Sequence, residues 1–269
     1  MELVDKLSNR QYIDGEWVES SNKNTRDIIN PYNQETIFTV AEGTKEDVER
    51  AILAARRSFE DGEWSLETSE VRGKKVRAVA DKIKENREEL AKLETLDTGK
   101  TLEESYADMD DIHNVFMYFA GLADKDGGEI INSPIPNAES KVVKEPVGVV
   151  TQITPWNYPL LQASWKIAPA LATGCSLVMK PSEITPLTTI RVFELMEEVG
   201  FPKGTINLVL GAGSEVGDVM SGHEEVDLVS FTGGIETGKH IMKQAANHVT
   251  DVALELGGKN PNIIRSEEH

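Results

Sequence analysis

The sequence predicts an α/β fold, a parallel sheet covered by helices on both faces. Two observations carry that prediction. From about residue 147 the chain alternates short apolar runs with helical ones: VGVVTQIT, a helix through Leu171, SLVMK, a helix from about Thr185 to Val199, INLVLG, a short helix, then VDLVSFTG. The short runs are nearly continuous in Val, Ile and Leu instead of alternating with polar residues, as expected of strands buried on both faces, and repeated strand–helix–strand units pair in parallel.

The elements before this region follow from their own patterns. QYIDGEWVES and TRDIINPYNQETIFTVAEG mix β-branched and aromatic residues with turn formers, which predicts short strands with Tyr12, Ile13 and Trp17 packed between them. At Thr44 the period changes. Thr44 and Asp47 have the spacing of a capping box, and Val48, Ile52, Ala55 and Phe59 then recur at helical intervals. A second helical run is expected from about Glu70 to Leu96, with Val76, Val79, Ile83, Leu90 and Leu93 on one side. A third is expected from Leu102 to about Leu122, carrying Met109, Ile112, Phe116 and Phe119. These apolar stripes read as core faces, since burying them is what stabilises such helices. Between Asp124 and Pro155, Gly and Pro punctuate two strand-like pieces in the manner of a long hairpin at about residues 128–150, an arm of a kind that pairs with another chain.

Composition narrows the function. The 269 residues suffice for one large domain or two smaller ones. Acidic residues number 46 against 28 Lys and Arg, so the surface field repels nucleic acid and anionic membranes, and neither is an expected partner. The opening residues contain no apolar run of signal-peptide length, and no stretch of about 18 apolar residues occurs anywhere, which reads as cytoplasmic. One cysteine, Cys175, excludes an intrachain disulfide, and five scattered histidines never reach paired metal-ligand spacing, so no metal site is expected from them.

In parallel α/β sheets ligands bind at the carboxyl ends of strands, where loops and helix N-termini present N–H groups to anions. Four such ends are decorated here: Thr154-Pro155-Trp156-Asn157-Tyr158-Pro159, Lys180-Pro181-Ser182-Glu183, Gly211-Ala212-Gly213-Ser214-Glu215-Val216-Gly217 and Phe231-Thr232-Gly233-Gly234. The glycine spacing GxGxxxG departs by one residue from the dinucleotide fingerprint, and a tight turn explains it as well as a ligand does. Lys180 and Glu183 have the chemistry to hydrogen-bond the two ribose hydroxyls of an adenosine, and a carboxylate there repels a 2′-phosphate, favouring NAD over NADP. The alternative is a surface lysine beside a glutamate that complements a helix dipole. Glu255 sits between Leu254 and Leu256 directly before two glycines. Flanking leucines predict desolvation, which moves a carboxyl toward the neutral range where a general base works. The alternative is exposure on the polar side of an edge strand.

Taken together, PWNYP, KPSE, FTGG and ELGGKNP in this order and spacing resemble the aldehyde dehydrogenase superfamily from about residue 10 to residue 264. Within it QYIDGEWVES, LETLDTGKT and TPWNYPLLQASWKIAPALATG are most like the bacterial betaine aldehyde dehydrogenases. The resemblance implies a Rossmann-like NAD-binding domain over residues 1–264, with the hairpin as an oligomerisation arm. It implies that Asn157 donates to the oxyanion of the reacting aldehyde, that Glu255 activates the deacylating water, and that Lys166 corresponds to a lysine given a charge-relay role, where an unspecific helix lysine is the alternative.

For the cofactor, the resemblance implies Lys180, Pro181, Ser182 and Glu183 at the adenosine ribose. Gly213 and Gly217 become close-approach glycines, and Phe231, Thr232, Gly233 and Gly234 border the pyrophosphate. Thr154, Pro155 and Trp156 line the nicotinamide side, and Leu256 and Gly257 complete the set. Tyr158 and Trp165, seven apart, are expected on one helix face towards the substrate, where aromatic rings can cage a quaternary ammonium such as that of betaine aldehyde; many relatives place aromatics there for plain apolar aldehydes. Asp97, in LDTGKT, lies in a segment like one near a monovalent-cation site.

Two departures set the remaining expectations. The family's nucleophilic cysteine belongs to a catalytic domain some tens of residues past ELGG, and this sequence does not contain it; residues 265–269 read as a non-family tail. Cys175, in ATGCSLVMK, has an apolar neighbourhood and no nearby His, and is expected to be structural. A chain of this kind is expected to lack turnover alone and to self-associate through its hairpin and an uncovered apolar face.

Overall fold

The computed structural model describes residues 3–125 and 127–265. Its central sheet has seven strands in the order β11-β10-β7-β8-β9-β1-β2. The five strands β7 (Val149–Ile153), β8 (Ser176–Lys180), β9 (Ile206–Leu208), β10 (Leu228–Gly233) and β11 (Asp251–Leu256) are mutually parallel. The expected strands therefore form, SLVMK to the residue. The sheet is nevertheless mixed, because β1 (Gln11–Ile13) docks antiparallel on β9 and carries β2 (Glu16–Val18) with it. Local pattern predicts these two strands but contains nothing about the distant edge on which they land.

Both faces are covered, and the period of two along the strands shows how. Val149, Ile153, Val178 and Val229 pack with Val48, Ala51 and Ile52 of α1 (Lys45–Asp61), Val216 and Met220 of α7 (Gly213–Gly222), and Ile241 of α8 (Ile235–Ala245). Val150, Leu177, Met179 and Leu208 face the other way, into a larger core. That core holds α2 (Ser69–Glu85), α3 (Arg87–Thr98), α4 (Leu102–Leu122), α5 (Pro159–Thr173) and α6 (Leu187–Val199). Successive side chains of a strand point to opposite faces, so a strand flanked by two cores must be apolar at nearly every position. The polar exceptions in β7 obey the same rule. Thr151 donates to Met220 O of α7 at 2.8 Å, and Gln152 donates to Lys166 O of α5 at 2.9 Å, each to the helix on its own side.

The capping box at α1 is present: Asp47 N–H donates to Thr44 Oγ1 at 3.3 Å and Thr44 N–H to Asp47 Oδ2 at 3.0 Å. The helix expected over residues 70–96 is two. Asn86 closes α2 with its backbone and side-chain N–H groups on Lys82 O, at 3.1 and 2.8 Å, and its own carbonyl starts α3. A short amide side chain that bonds the backbone competes with helix continuation. The expected stripe nevertheless stays in one core, with Val76, Val79, Ile83, Leu90 and Leu93 all fully buried. The expected third helix forms over its full length as α4. β3 (Thr25–Ile29) and β4 (Thr36–Ala41) make a separate antiparallel pair, and so do β5 (Glu129–Ile131) and β6 (Ser140–Val142) in the hairpin region. The hairpin is shorter than expected, since Val149 and Val150 already belong to the central sheet. Of the expected tail, residues 266–269 lie outside the described residues.

Candidate functional site

Parallel strands bring every carboxyl end to one edge of the sheet. The loops after β7, β8, β9, β10 and β11 therefore converge there although they are spread over about a hundred residues of sequence. After β7, Thr154 N–H donates to Lys180 O at 3.1 Å and is buried, which ties the first two loops together. Pro155 is half-buried, and Trp156, Asn157 and Tyr158 are exposed. Thr185 holds this turn from below by donating to Trp156 O at 3.2 Å. Asn157 thus stands on a fixed backbone at the start of α5, its side chain free to meet a ligand.

Tyr158 and Trp165 are both about half exposed, but they do not share a helix. Tyr158 is the residue before α5, with φ −135° and ψ 61°, so the spacing argument for a common helical face does not apply. Its ring is placed instead by Lys100, whose Nζ lies 4.1 Å from the ring centroid. Lys100 is itself held by Asp108 at 2.5 Å.

The end of β8 supplies the most defined polar pair. Lys180 is 2 % exposed, and its ammonium donates to Pro181 O at 2.9 Å and to Glu183 Oε2 at 3.2 Å. Burial pushes the Lys180 pKa down, opposed by Glu183. Burial pushes the Glu183 carboxyl up, but the Lys180 charge and the backbone N–H of Gly213 leave it below its ordinary value. A surface lysine would show neither feature, so the alternative of an idle exposed pair does not hold for Lys180.

The glycines separate into two kinds. Gly211 adopts φ +139° with Gly43 O 3.0 Å from where a Cβ would stand, so the chain itself requires glycine there. Gly213, Gly217, Gly234 and Gly257 have open space at that point. Nothing within the chain demands their lack of a side chain, and all border the strand-end edge, as expected of a surface that a ligand approaches closely. The donor set and the open glycine surface fit a dinucleotide. Phe231 is buried beneath this edge, and Thr232 and Gly233 are half-buried above it. Pro181 is buried, Ser182 half-buried, and Leu256 exposed at the edge.

Glu255 is exposed on β11, an edge strand, on the same side as the exposed Asp251 and Ala253, with the half-buried Val252 and Leu254 on the other. Its leucine neighbours do not bury it, because successive side chains of a strand leave on opposite faces. It does act on Lys166. That lysine is buried, its Nζ donates to Ser230 Oγ at 3.1 Å, and burial pulls its pKa down to about 8 against the opposing charge of Glu255. Lys166 is therefore a buried lysine with a defined partner in Ser230. Its partner Ser230, and Lys100 beneath Tyr158, escape sequence reasoning, because each is defined only by a contact 58 to 64 residues away.

Asp97 is buried, with one carboxylate oxygen accepting Leu187 N–H at 2.9 Å at the start of α6. No group of three or more His, Cys, Asp or Glu with metal-holding geometry occurs among the described residues. Cys175 is buried with Sγ 3.5 Å from Thr173 Oγ1. It precedes β8, at the far edge of the sheet from Lys180, and at about 3.3 Å per strand residue this separates it from the strand-end site by roughly 16 Å.

The sequence pattern of the aldehyde dehydrogenase family matches residues 17–268. The betaine aldehyde dehydrogenase of Bacillus subtilis is 66 % identical over 258 residues, which are 96 % of this chain and 53 % of that protein. The peroxisomal aminoaldehyde dehydrogenase 1 of Pisum sativum is 47 % identical, with the same coverage of both chains. A crystal structure of betaine aldehyde dehydrogenase from Staphylococcus aureus in complex with NAD+ superposes with a TM-score of 0.96 at 89 % identity, covering 97 % of this chain and 52 % of that one. The chain thus spans about half the length of the relatives it matches. With its strand-end motifs assembled on one sheet edge and this likeness running through 17–268, the chain belongs to the aldehyde dehydrogenase family.

Proposed function

We propose that the strand-end crevice binds NAD and that the complete protein oxidises an aldehyde to the acid, with betaine aldehyde as substrate. The observation that carries the cofactor reading is the buried Lys180–Glu183 pair beside glycines with open space in front of them, and the NAD complexes of the related S. aureus enzyme support it. The substrate reading rests on the names of the similar enzymes and on the half-exposed ring of Tyr158, the residue after Asn157, with the half-exposed Trp165 further along α5. An exposed aromatic ring attracts a quaternary ammonium by roughly 0.5–2 kcal/mol per contact.

In this reading NAD, when bound, accepts the hydride of the reacting aldehyde. The residues of this chain do the rest. Asn157 donates its side-chain amide to the developing oxyanion, a preorganised donor typically worth about 3–4 kcal/mol of barrier. Glu255 takes a proton from the attacking water, and Lys166, hydrogen-bonded to Ser230 and with a pKa near 8, holds or releases a proton beside it near neutral pH. The covalent step of the family needs a reactive cysteine thiolate, and buried Cys175, at the other edge of the sheet, is a packing residue. These residues accordingly bind the cofactor and do not supply the nucleophile; the protein acts in the cytoplasm and associates through the β5–β6 hairpin.

Calorimetry with NAD, and absorbance at the NADH band after adding betaine aldehyde, test this together. One NAD bound per chain with no NADH formed is the expected result. NADH production that Cys175→Ala abolishes overturns the role given to Cys175. Absence of NAD binding, with no co-purifying full-length subunit, overturns the cofactor reading.

A further inference from the structure

Beside Lys180 and Glu183 lies a second charged pair, interlocked with them. Arg26, on β3, forks onto the Glu42 carboxylate with N···O distances of 2.5 and 2.7 Å. The other commitment of that carboxylate is to the start of α7, where Glu42 Oε1 accepts the N–H of Ala212, the N-cap residue, at 3.0 Å. The backbone next to Glu42 is tied to the loop before α7. Gly43 N–H donates to Leu210 O at 2.9 Å, and a Cβ on Gly43 would stand 2.2 Å from that same oxygen, so only glycine allows this close approach next to Glu42. Arg26, Glu42, Pro181, Ser182, Glu183 and Gly211 line one narrow gap.

An arginine fork and a helix N-terminus are the two groups that most readily receive a phosphate. Here both converge beside the ribose-binding pair, and both already hold an anion, Glu42. Resting on the cofactor reading above, we propose that Glu42 is a built-in anion that keeps Arg26 and the α7 start from receiving a ribose 2′-phosphate. Glu42 and Arg26 thereby join Glu183 in selecting the dinucleotide with a free 2′-hydroxyl. The charges of Lys180, Arg26, Glu42 and Glu183 cancel, so a phosphate finds no uncompensated cation there and meets two fixed carboxylates. Removing the Glu42 charge frees the guanidinium and the Ala212 N–H from their anion, with Glu183 still at the Gly213 N–H, and makes the same corner more receptive to a phosphate.

The two ends of the pair predict opposite effects, measured on the full chain by calorimetry with NAD and with its 2′-phosphorylated counterpart. Glu42→Gln keeps the acceptor for Ala212 N–H and is expected to bind NAD while improving the relative affinity for the 2′-phosphorylated dinucleotide at least tenfold. Arg26→Gln leaves the Glu42 charge uncompensated and is expected to worsen that ratio at least threefold, so the test stands even where one variant fails to fold. A ratio unmoved in a variant that still binds NAD, or moved in the opposite direction, overturns this inference alone. An unsubstituted chain that binds neither dinucleotide overturns the cofactor reading and this inference with it.

Discussion

Replacing Lys166 by methionine tests the buried proton-holding group directly. Methionine retains most of the unbranched stem and removes the ammonium. Burial lowers the Lys166 pKa from its ordinary 10.5 to about 8, a difference worth about 3 kcal/mol at roughly 1.4 kcal/mol per factor of ten. The unfolded chain keeps its proton up to pH 10.5 and the folded chain releases it at about 8. Between these values the unfolded state holds more protons, so stability rises with pH, and below pH 8 the whole penalty is present. Lys166→Met removes that penalty but also the hydrogen bond to Ser230 Oγ at 3.1 Å, which returns about 1 kcal/mol of the gain. The variant is therefore expected to be more stable than the parent by about 2 kcal/mol at pH 6.5, with the advantage shrinking above pH 8 and gone by pH 10.5. Urea unfolding of both chains at pH 6.5, 8 and 9.5 measures it, since other titrating groups are common to the two and cancel in the difference. A variant less stable than the parent at pH 6.5, or a difference that does not change with pH, refutes the assignment of a strained buried ammonium.

Two further outcomes follow from the core. Phe116, fully buried where α4 packs into the larger core, is expected to cost about 3–5 kcal/mol as Phe116→Ala, read as a lower urea midpoint; a loss under 1 kcal/mol would mean that the α4 stripe is not the core face. Glu94 is fully buried, accepts from Thr188 Oγ1 at 2.7 Å, and is pushed by burial up to about 7. Its folded state holds the extra proton between pH 4.5 and 7, so stability falls as pH rises through that window. Glu94→Gln lacks this dependence and should gain on the parent by up to about 3 kcal/mol between pH 4.5 and 8; parallel unfolding curves across that range would exclude it.

The strand-end site was largely legible, and the reason is chemical. Glycines with no role inside the chain, a lysine and glutamate three apart, and an Asn after Pro-Trp are all visible as residue types in unusual places. What they border is set by strand order. Glu255 illustrates the limit: its leucine neighbours suggest a buried acid, but on β11 at the sheet edge alternation turns those leucines away and leaves the carboxylate exposed. Tyr158 illustrates another, since ending outside α5 removes the helical spacing that linked it to Trp165.

By itself the sequence determined the identity of almost every element, because local patterns of burial, capping and turn formation act within a few residues. It also determined the parallel sheet, because strands that are apolar at every position need a core on each side. Only the tertiary structure decided which distant residues meet. Asn86 splits a helix whose apolar stripe runs straight through it, β1 and β2 extend the sheet antiparallel, Ser230 receives Lys166, and Arg26 and Glu42 close against the loop before α7. Those contacts join residues up to about 200 positions apart, and no one-dimensional pattern specifies them: their energy is realised only when the sheet brings its strand ends to one edge.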